Sequence, residues 1–182
     1  EALGLLSLML YAEARRAARR TAEGDYVPLD EQAVEAWDAA MIKEAETLLV
    51  QASAMGRAGR FQLEAAVQSA HVIRRQTGRS DWPAIVRLYD ALSALTGSPV
   101  VAINRAVALA ETAGPAVGLH HLDALSADPR LLTYQPYWAA RAGLLAATAM
   151  TAEAKAAYSR AIGLAADPAV RRFLSRRLDA LG

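Results

Sequence analysis

The sequence predicts an all-α fold, an array of about nine helices arranged mostly as antiparallel hairpins in a right-handed solenoid. Apolar residues make up 54% of the chain and only 6% of residues are aromatic, so alanine and leucine supply most of the packing. Alanine is the best helix former and a poor strand residue. Glycine and proline pairs interrupt the chain at short intervals, which suits helices joined by tight turns and leaves no room for a sheet.

The clearest hairpin runs from Tyr137 to Ala161 and is predicted to be two amphipathic helices joined at Ala149–Thr151, with Thr151 as N-cap of the second. The signature of tetratricopeptide repeats asks for W-x₂-L-G-x₂-Y in one helix and A-x₃-F in the next. The residues at those places are Trp138, Arg141, Ala142, Leu145, Ala154 and Tyr158. Two helices approach closely only where side chains are short, so Ala142 and Ala154 carry most of the match. A tetratricopeptide-like repeat is therefore predicted.

The same pattern recurs earlier in the chain. Arg105-Ala106-x₂-Leu109 and Gly118-x₃-Leu122-x₂-Leu125 each precede their counterparts in the clearest hairpin by thirty-six residues. A further helix of the second type, Ile85-x₃-Tyr89-x₂-Leu92, follows a partner helix near residues 61–77. This spacing lies in the range of helical repeats. Alanine-rich helices can also show such sequence matches by chance, without a true repeat, so this alternative stays open.

The first part of the chain, residues 1–56, is predicted to hold the N-terminal helices of one domain covering 1–182. Glu1–Arg20 is apolar nearly all round, which predicts a helix buried on every side. After an extended link at Gly24–Leu29, Asp30 is predicted to cap a helix that continues to Met55 and ends at Gly56–Gly59.

Residues 60–182 are predicted to hold the repeat hairpins and a capping helix. Phe61–Thr77 should form a helix closed by Gly78, and Asp81 should cap the next one. Four further helix starts are predicted from turn residues followed by proline, at Pro99, Pro115, Pro129 and Pro168. The last helix places its apolar residues on one stripe and its arginines largely off it, as a terminal capping helix requires.

Composition narrows the classes of function. The net charge is +1, which argues against a globally basic nucleic-acid binder. The longest uncharged run, Ala91–Asn104, is shorter than the roughly 20 residues of a bilayer-spanning helix, so we expect a soluble chain without a membrane role. There is no cysteine, which suits the cytoplasm and removes thiol chemistry.

The search for chemistry leads to an expectation of no enzyme activity, no cofactor and no metal. Adjacent His120 and His121 point in different directions on a helix, and His71 is expected to be a packed or capping histidine. Glu44 and Glu46 diverge on their helix and form a poor acid–base pair. No glycine-rich phosphate loop, dinucleotide fingerprint or nucleophile elbow occurs.

The candidate functional residues are therefore interaction residues. Asn104 is the one polar interruption of an apolar helix; it is either a groove residue that pairs with a peptide backbone or a buried tie between repeats. The basic clusters near residues 15–20 and 171–177 are either docking patches or solvated faces. The candidates are Arg15, Arg16, Arg19, Asn104, Arg105, Arg141, Arg171, Arg172 and Arg176.

Several strings, spread over the whole chain, together carry a family resemblance. They are EALGLLSLMLYAEARRAAR at 1–19, GDYVPLDEQ at 24–32, Trp37-Asp38, SPVVAINRAVALAE at 98–111, LDAL at 122–125 and RRFLSRRL at 171–178. The chain resembles the long C-terminal, tetratricopeptide-like extension of a group of bacterial extracytoplasmic-function RNA polymerase sigma factors. In that family the promoter-reading and polymerase-binding regions precede such a segment.

The resemblance implies a regulatory interaction domain of a transcription initiation factor that does not itself read promoter DNA. It implies partners among RNA polymerase, the sigma core regions of the same chain, and small proteins encoded beside such factors. We further expect the chain to be a fragment, and an upstream helix or a second copy of the chain, in a homodimer, to cover the N-terminal helix. Two alternatives stay open: a generic peptide-binding repeat module, and a small-molecule sensor or helical enzyme.

Overall fold

The computed structural model describes residues 1–182 and is all α-helical, with no β-strand. Nine helices have between 9 and 16 residues, and a tenth, α4, is a single turn. The bounds are α1 Ala2–Ala14, α2 Ala39–Ala54, α3 Arg60–Val72, α4 Arg74–Thr77, α5 Trp82–Thr96, α6 Pro99–Ala113, α7 Pro115–Asp123, α8 Gln135–Ala147, α9 Thr151–Leu164 and α10 Pro168–Asp179. The all-α prediction is confirmed.

The chain forms two compact units, which we call the amino-terminal and carboxyl-terminal units. The amino-terminal unit comprises residues 1–23 and 27–97, and the carboxyl-terminal unit comprises residues 24–26 and 98–182. The predicted subdivision into residues 1–56 and 60–182 concerns repeat boundaries and stays a prediction.

Helix α1 packs against α2 and α3 through a stripe of mostly small residues. Gly4, Ser7, Tyr11 and Ala14 are buried, and the Ser7 hydroxyl donates a hydrogen bond to the Ala45 carbonyl at 2.8 Å. A Cβ atom on Gly4 would lie 2.8 Å from the Cα of Gln62, so glycine allows the two backbones to touch. The small residues of α1 therefore face inward.

The predicted bounds of the first helix, Glu1 to Arg20, are wrong, and within this chain the helix is not buried on every side. Helix α1 ends at Ala14, and a 3₁₀ turn covers Ala17–Arg19. Leu5, Leu6 and Met9 are 38%, 44% and 59% exposed. The close approach at Gly4 and Ser7 selects the side of α1 that packs inward, which leaves Leu5, Leu6 and Met9 on the opposite side.

The predicted cap at Asp30 is also wrong. Residues 29–36 form two 3₁₀ turns, and α2 begins at Ala39, where the Asp38 carboxylate accepts hydrogen bonds from the backbone amides of Ala40 and Met41. Trp37 is 3% exposed and belongs to the core that α1 and α2 share. Burying this indole fixes the chain immediately before Asp38, so the helix starts there.

The region predicted as one helix from Phe61 to Thr77 is α3 followed by the single turn α4, with a break at Ile73. Gly78 closes it in a left-handed conformation, as predicted, with φ +77°. The predicted cap at Asp81 is confirmed, since its carboxylate accepts a hydrogen bond from the amide of Ala84. Helix α5 packs on α3 and buries Ile85 and Leu92.

The carboxyl-terminal unit contains two hairpins, α6–α7 and α8–α9, with α10 packed on α9. Ala106, Ala142 and Ala154 are fully buried at the helix crossings. A Cβ on Gly118 would lie 2.6 Å from the Cβ of Ala110, so the crossing of α6 and α7 requires glycine. Small residues at the matched repeat positions therefore do bring the helices together, and Tyr158, beside them, is buried as predicted.

The predicted starts at Pro99, Pro115 and Pro168 are confirmed. Pro129 begins only a 3₁₀ turn, Pro129–Leu131, capped by Asp128, and α8 begins later at Gln135. The apolar stripe of α10 packs on α9 and α8, with Leu174 buried. None of the helices combines the length and the hydropathy that crossing a bilayer requires.

The turn between α8 and α9 is a Schellman motif. The amide of Met150 donates to the Leu145 carbonyl, and the amide of Ala149 donates to the Ala146 carbonyl. Ala149 has φ +60°, which makes it the one residue other than glycine with a positive φ. Met150, rather than the predicted Thr151, is the N-cap of α9, and no side chain caps this helix.

Candidate interaction site

The carboxyl-terminal unit contains an open cleft of about 540 Å³ on the α8–α9 hairpin. Most of the surface that lines it is apolar, and its floor includes the buried side chains of Leu145 and Ala157. The eight lining residues are Leu132, Trp138, Arg141, Leu145, Glu153, Ala156, Ala157 and Arg160. We call this site the hairpin cleft.

One end of the hairpin cleft is built around the backbone carbonyl of Leu132. The Trp138 indole Nε1 donates a hydrogen bond to this oxygen at 3.2 Å, and Nη2 of Arg160 donates to the same oxygen at 3.1 Å. The Arg160 guanidinium also lies over the Trp138 ring, with Cζ 5.5 Å from the ring centroid. The indole and the guanidinium are thus oriented by a shared acceptor.

The Leu132 side chain itself is 48% exposed beside this pair. Trp138 is half-buried, and its ring meets Tyr137 edge-on at 5.3 Å. A large apolar side chain exposed next to an oriented aromatic ring is the arrangement that typically anchors an apolar group of a partner.

The charged residues of the hairpin cleft differ in their partners. Arg141 forms an ion pair with Asp123 of α7, so its charge is compensated within the unit. Arg160 and Glu153 are exposed and form no ion pair in the chain. They are seven positions apart on α9, about two turns, which places them on one face at a separation of roughly 10 Å along the axis. The cleft therefore carries a cation near one end and an anion near the other.

The basic cluster near residues 15–20 is partly used inside the amino-terminal unit. Arg15 donates to the Gln68 side chain and lies over Trp37, with Cζ 5.8 Å from the ring centroid. Arg16 pairs with Glu13 at 2.8 Å, and Arg19 donates to the Ala12 carbonyl. These contacts supply a structural role for each of the three predicted residues.

The second basic cluster holds the short segment 24–26. Arg172 and Arg176 both pair with Asp25, at 2.8 and 3.1 Å, and the hydrogen bond from Arg172 is the largest cause of the lowered pKa of the Asp25 carboxyl. Tyr26 meets Phe173 edge-on at 5.4 Å. Arg171 donates to the Ala165 carbonyl at 2.7 Å. This cluster therefore organises the carboxyl-terminal unit.

Asn104 and Arg105 lie on α6, away from the hairpin cleft lining. Asn104 is exposed, so the alternative in which it is buried between repeats is wrong. Arg105 is half-buried, and its charge contributes, after burial, to the lowered pKa of His121. Of the predicted interaction residues, only Arg141 lines the cleft.

Sequence reasoning missed Leu132, Glu153 and Arg160 as candidate residues, and it assigned Trp138 to the repeat signature alone. One signal was available. Glu153 and Arg160 are opposite charges separated by seven residues, and only alanines and other small residues share that helical face between them. The contact of Arg160 with Leu132 joins residues 28 apart in sequence, and no local pattern predicts it.

His71 is packed in the amino-terminal unit, as predicted. It is 7% exposed, its Nδ1 lies 3.2 Å from the Ser80 hydroxyl, and its ring meets Trp82 edge-on. Burial, followed by the charges of Arg15 and Arg74, lowers the pKa of His71 to about 4. No group of three or more histidine, cysteine or acidic side chains is placed to hold a metal ion.

Comparisons with known proteins connect the chain to sequences of unknown role. Residues 1–53 match the model of a family of unknown function, DUF6596. The chain is 36% identical over 181 residues to the uncharacterized protein R00370 of Rhizobium meliloti (strain 1021). This alignment covers 100% of the chain but 42% of that relative, so the chain spans less than half of the longer protein. No solved structure matches the chain.

Proposed function

We propose that this chain is a regulatory protein-interaction domain of an RNA polymerase sigma factor of the extracytoplasmic-function group. In this proposal it acts in the bacterial cytoplasm, contacts polymerase, the sigma core or a small co-encoded protein, and modulates initiation without reading promoter DNA. The proposal rests on the resemblance carried by the strings from residue 1 to residue 178. It includes the finer fold prediction, a right-handed tetratricopeptide-like solenoid.

The interaction role is supported by one observation, that the chain exposes two apolar surfaces. Leu5, Leu6 and Met9 form one on α1, and the hairpin cleft, with Leu132 at its edge, forms the other. Contiguous exposed apolar residues typically mark surfaces that meet another protein. The length of the R. meliloti relative is compatible with the proposal, because more than half of that protein lies outside the matched region.

The charge distribution supports a role without sequence-specific DNA contacts. The net charge is +1, and six arginines of the two basic clusters contact groups of their own units, namely Arg15, Arg16, Arg19, Arg171, Arg172 and Arg176. A DNA-reading domain usually presents a basic face and a polar recognition helix. We therefore expect the isolated chain to bind promoter DNA only non-specifically, with dissociation constants of roughly 10⁻⁴–10⁻⁶ M at physiological salt.

The test is in vitro transcription with the longer protein that contains this region and with a version from which the region is deleted. Loss of the interaction surfaces should reduce promoter-specific transcription, while a titration of the isolated chain on promoter DNA should show only weak, salt-sensitive binding. Unchanged transcription after deletion would contradict the regulatory role. Tight sequence-specific binding by the isolated chain would contradict the claim that it does not read DNA.

The runner-up function is a peptide-binding module in another assembly. The hairpin cleft favours it, because an exposed leucine, an indole and uncompensated charges could serve any partner with a suitable segment. Absence of sigma core regions from the longer protein that contains this chain, together with retained peptide binding, would favour this runner-up.

A further inference from the structure

We propose that the hairpin cleft binds a short extended peptide segment in which a large apolar residue stands next to an acidic residue, with a basic residue about three positions away. The proposal rests on the proposed function only in assuming that the chain contacts another protein. It names the site and the chemistry of the segment that enters it.

The apolar residue of the peptide has an anchor at the Leu132 end. Leu132 is 48% exposed, Trp138 is half-buried, and the buried Leu145 lies at the floor of the cleft. An apolar side chain placed there removes the exposed Leu132 surface and one face of the indole from water. This burial supplies the non-directional part of the binding energy.

The acidic residue of the peptide has a partner in Arg160. Its guanidinium forms no ion pair in the chain, but it is already oriented by the Leu132 carbonyl and by the Trp138 ring. One of its five N–H donors is used in the Leu132 contact, which leaves others for a carboxylate. Because the side chain is held before binding, less conformational entropy is lost when the peptide arrives.

The basic residue of the peptide has a partner in Glu153, the uncompensated carboxylate further along α9. The separation of roughly 10 Å between Glu153 and Arg160 along the helix corresponds to about three residues of extended chain at 3.3 Å each. Ala156 and Ala157 lie between them, so no bulky side chain blocks a backbone that runs along this face. The opposite charges also fix the direction in which the segment lies.

The same charges disfavour a nucleic acid in the hairpin cleft. A phosphate chain that reached Arg160 would pass Glu153, and Arg141 is already compensated by Asp123. Repulsion from the Glu153 carboxylate opposes the regular negative charge of a nucleic acid backbone. A peptide with one acidic and one basic residue places an opposite charge beside each of the two uncompensated groups, Arg160 and Glu153.

The test is selection from a randomised hexapeptide library, with acetylated and amidated ends, on the full 182-residue chain. Selected peptides should combine a large apolar residue, an adjacent acidic residue and a basic residue about three positions away. Titration of a selected peptide should then show about tenfold weaker binding to R160Q, the effect expected when a charged hydrogen bond is lost. Selection of no such pattern would overturn the proposal.

A double variant, E153R with R160E, exchanges the two charges on exposed positions and should reverse the charge order of the selected peptides. R87Q, which changes an exposed arginine of the amino-terminal unit, is the matched control and should leave the selection unchanged. An unreversed order in a double variant with unchanged circular dichroism would overturn the proposal. Binding of an oligodeoxythymidine that competes with the selected peptide and is weakened in R160Q would overturn it in favour of a nucleic acid.

The outcome is separable from that of the transcription test. Selection of the expected peptides together with unchanged transcription after deletion contradicts the sigma-factor role and leaves the cleft proposal standing. Reduced transcription without peptide selection contradicts the cleft proposal alone.

Discussion

Helix α1 and the α8–α9 hairpin both rely on small residues for close helix contacts, but α1 leaves several of its large apolar side chains exposed. In the hairpin, Ala142 and Ala154 form the crossing, and Tyr158 fills the core beside them. In α1, Gly4 and Ser7 face the neighbouring helices, whereas Leu6 and Met9 face away from them. A small-residue stripe therefore marks where helices meet but does not say where the bulk of the apolar side chains goes.

The largest expected effect is the difference in stability between a truncation in the hairpin and a truncation on the exposed side of α1. Tyr158→Ala should lower the free energy of unfolding by about 3–5 kcal/mol, the range for truncating a large buried aromatic residue, because Tyr158 is 6% exposed within the hairpin core. Met9→Ala, on the outer face of α1, should change it by less than about 0.5 kcal/mol. Urea denaturation of both variants measures the difference. A cost under about 1 kcal/mol for Tyr158→Ala would mean that the predicted repeat register is wrong.

Acid should weaken the amino-terminal unit through His71. Its pKa is about 4 in the folded chain and near 6.5 when unfolded, so between these values the unfolded state binds more protons. The stability that this histidine contributes is complete above pH 6.5 and is lost as the pH falls toward 4. At 1.36 kcal/mol per pH unit this amounts to about 3 kcal/mol.

His71→Gln is the comparison for this effect, because glutamine keeps a polar group near Ser80 and does not titrate. Urea denaturation of both proteins at pH 7.5, 6.5 and 5.5 should show a steeper loss of stability for the unmodified chain below pH 6.5. Parallel pH profiles would show that the pKa of His71 is the same in the folded and unfolded states and would contradict the lowered pKa.

A substitution in the turn of the α8–α9 hairpin should have a smaller, stabilising effect. Ala149 occupies the left-handed position of the Schellman motif at φ +60° and is exposed. Glycine adopts this conformation without the steric cost to a Cβ, so Ala149→Gly should raise stability by about 1 kcal/mol. Thermal denaturation checks the sign, and Ala156→Gly, at an exposed position inside α9, should have the opposite effect. Destabilisation by Ala149→Gly would indicate that residue 149 is not left-handed.

Substitutions on the outer face of α1, which exposes Leu5, Leu6 and Met9, should change self-association rather than stability. Its exposed leucines and methionine favour contact with a second copy or with another helix. Sedimentation of the isolated chain should show self-association that the double variant Leu6→Glu with Met9→Glu removes, with a change in unfolding free energy within about 0.5 kcal/mol. A monomer at all concentrations would remove the homodimer from the expected partners.

Local chemistry predicted much of the fold. Asp81 and Asp167 followed by apolar residues and proline, and Gly97-Ser98-Pro99, determine helix ends through groups only two or three residues away. Sequence reasoning chose Asp30 as the cap, and the cap is Asp38, a residue with the same chemistry. The burial of Trp37, a tertiary event, decides between them.

The hairpin cleft was less predictable for the same physical reason. Trp138 and Arg141 were visible as positions of a repeat, but Arg160 becomes part of a site only because α8 and α9 pack to bring it to the Leu132 carbonyl. Helix α1 poses a similar ambiguity. Its sequence is apolar nearly all round, and the close approach of Gly4 to Gln62 selects the side that faces inward.

The pairing of Asp25 with Arg172 can form only late in the synthesis of the chain. The two residues are 147 positions apart, and at about 5–20 residues per second Asp25 is made roughly 7–30 s before its partner. During that interval the flanking residues 1–23 and 27–97 are already available to fold, while segment 24–26 waits for α10. Helix α10 therefore completes a contact that Asp25 cannot make earlier, and a ribosome that stalls before α10 leaves Asp25 without either arginine.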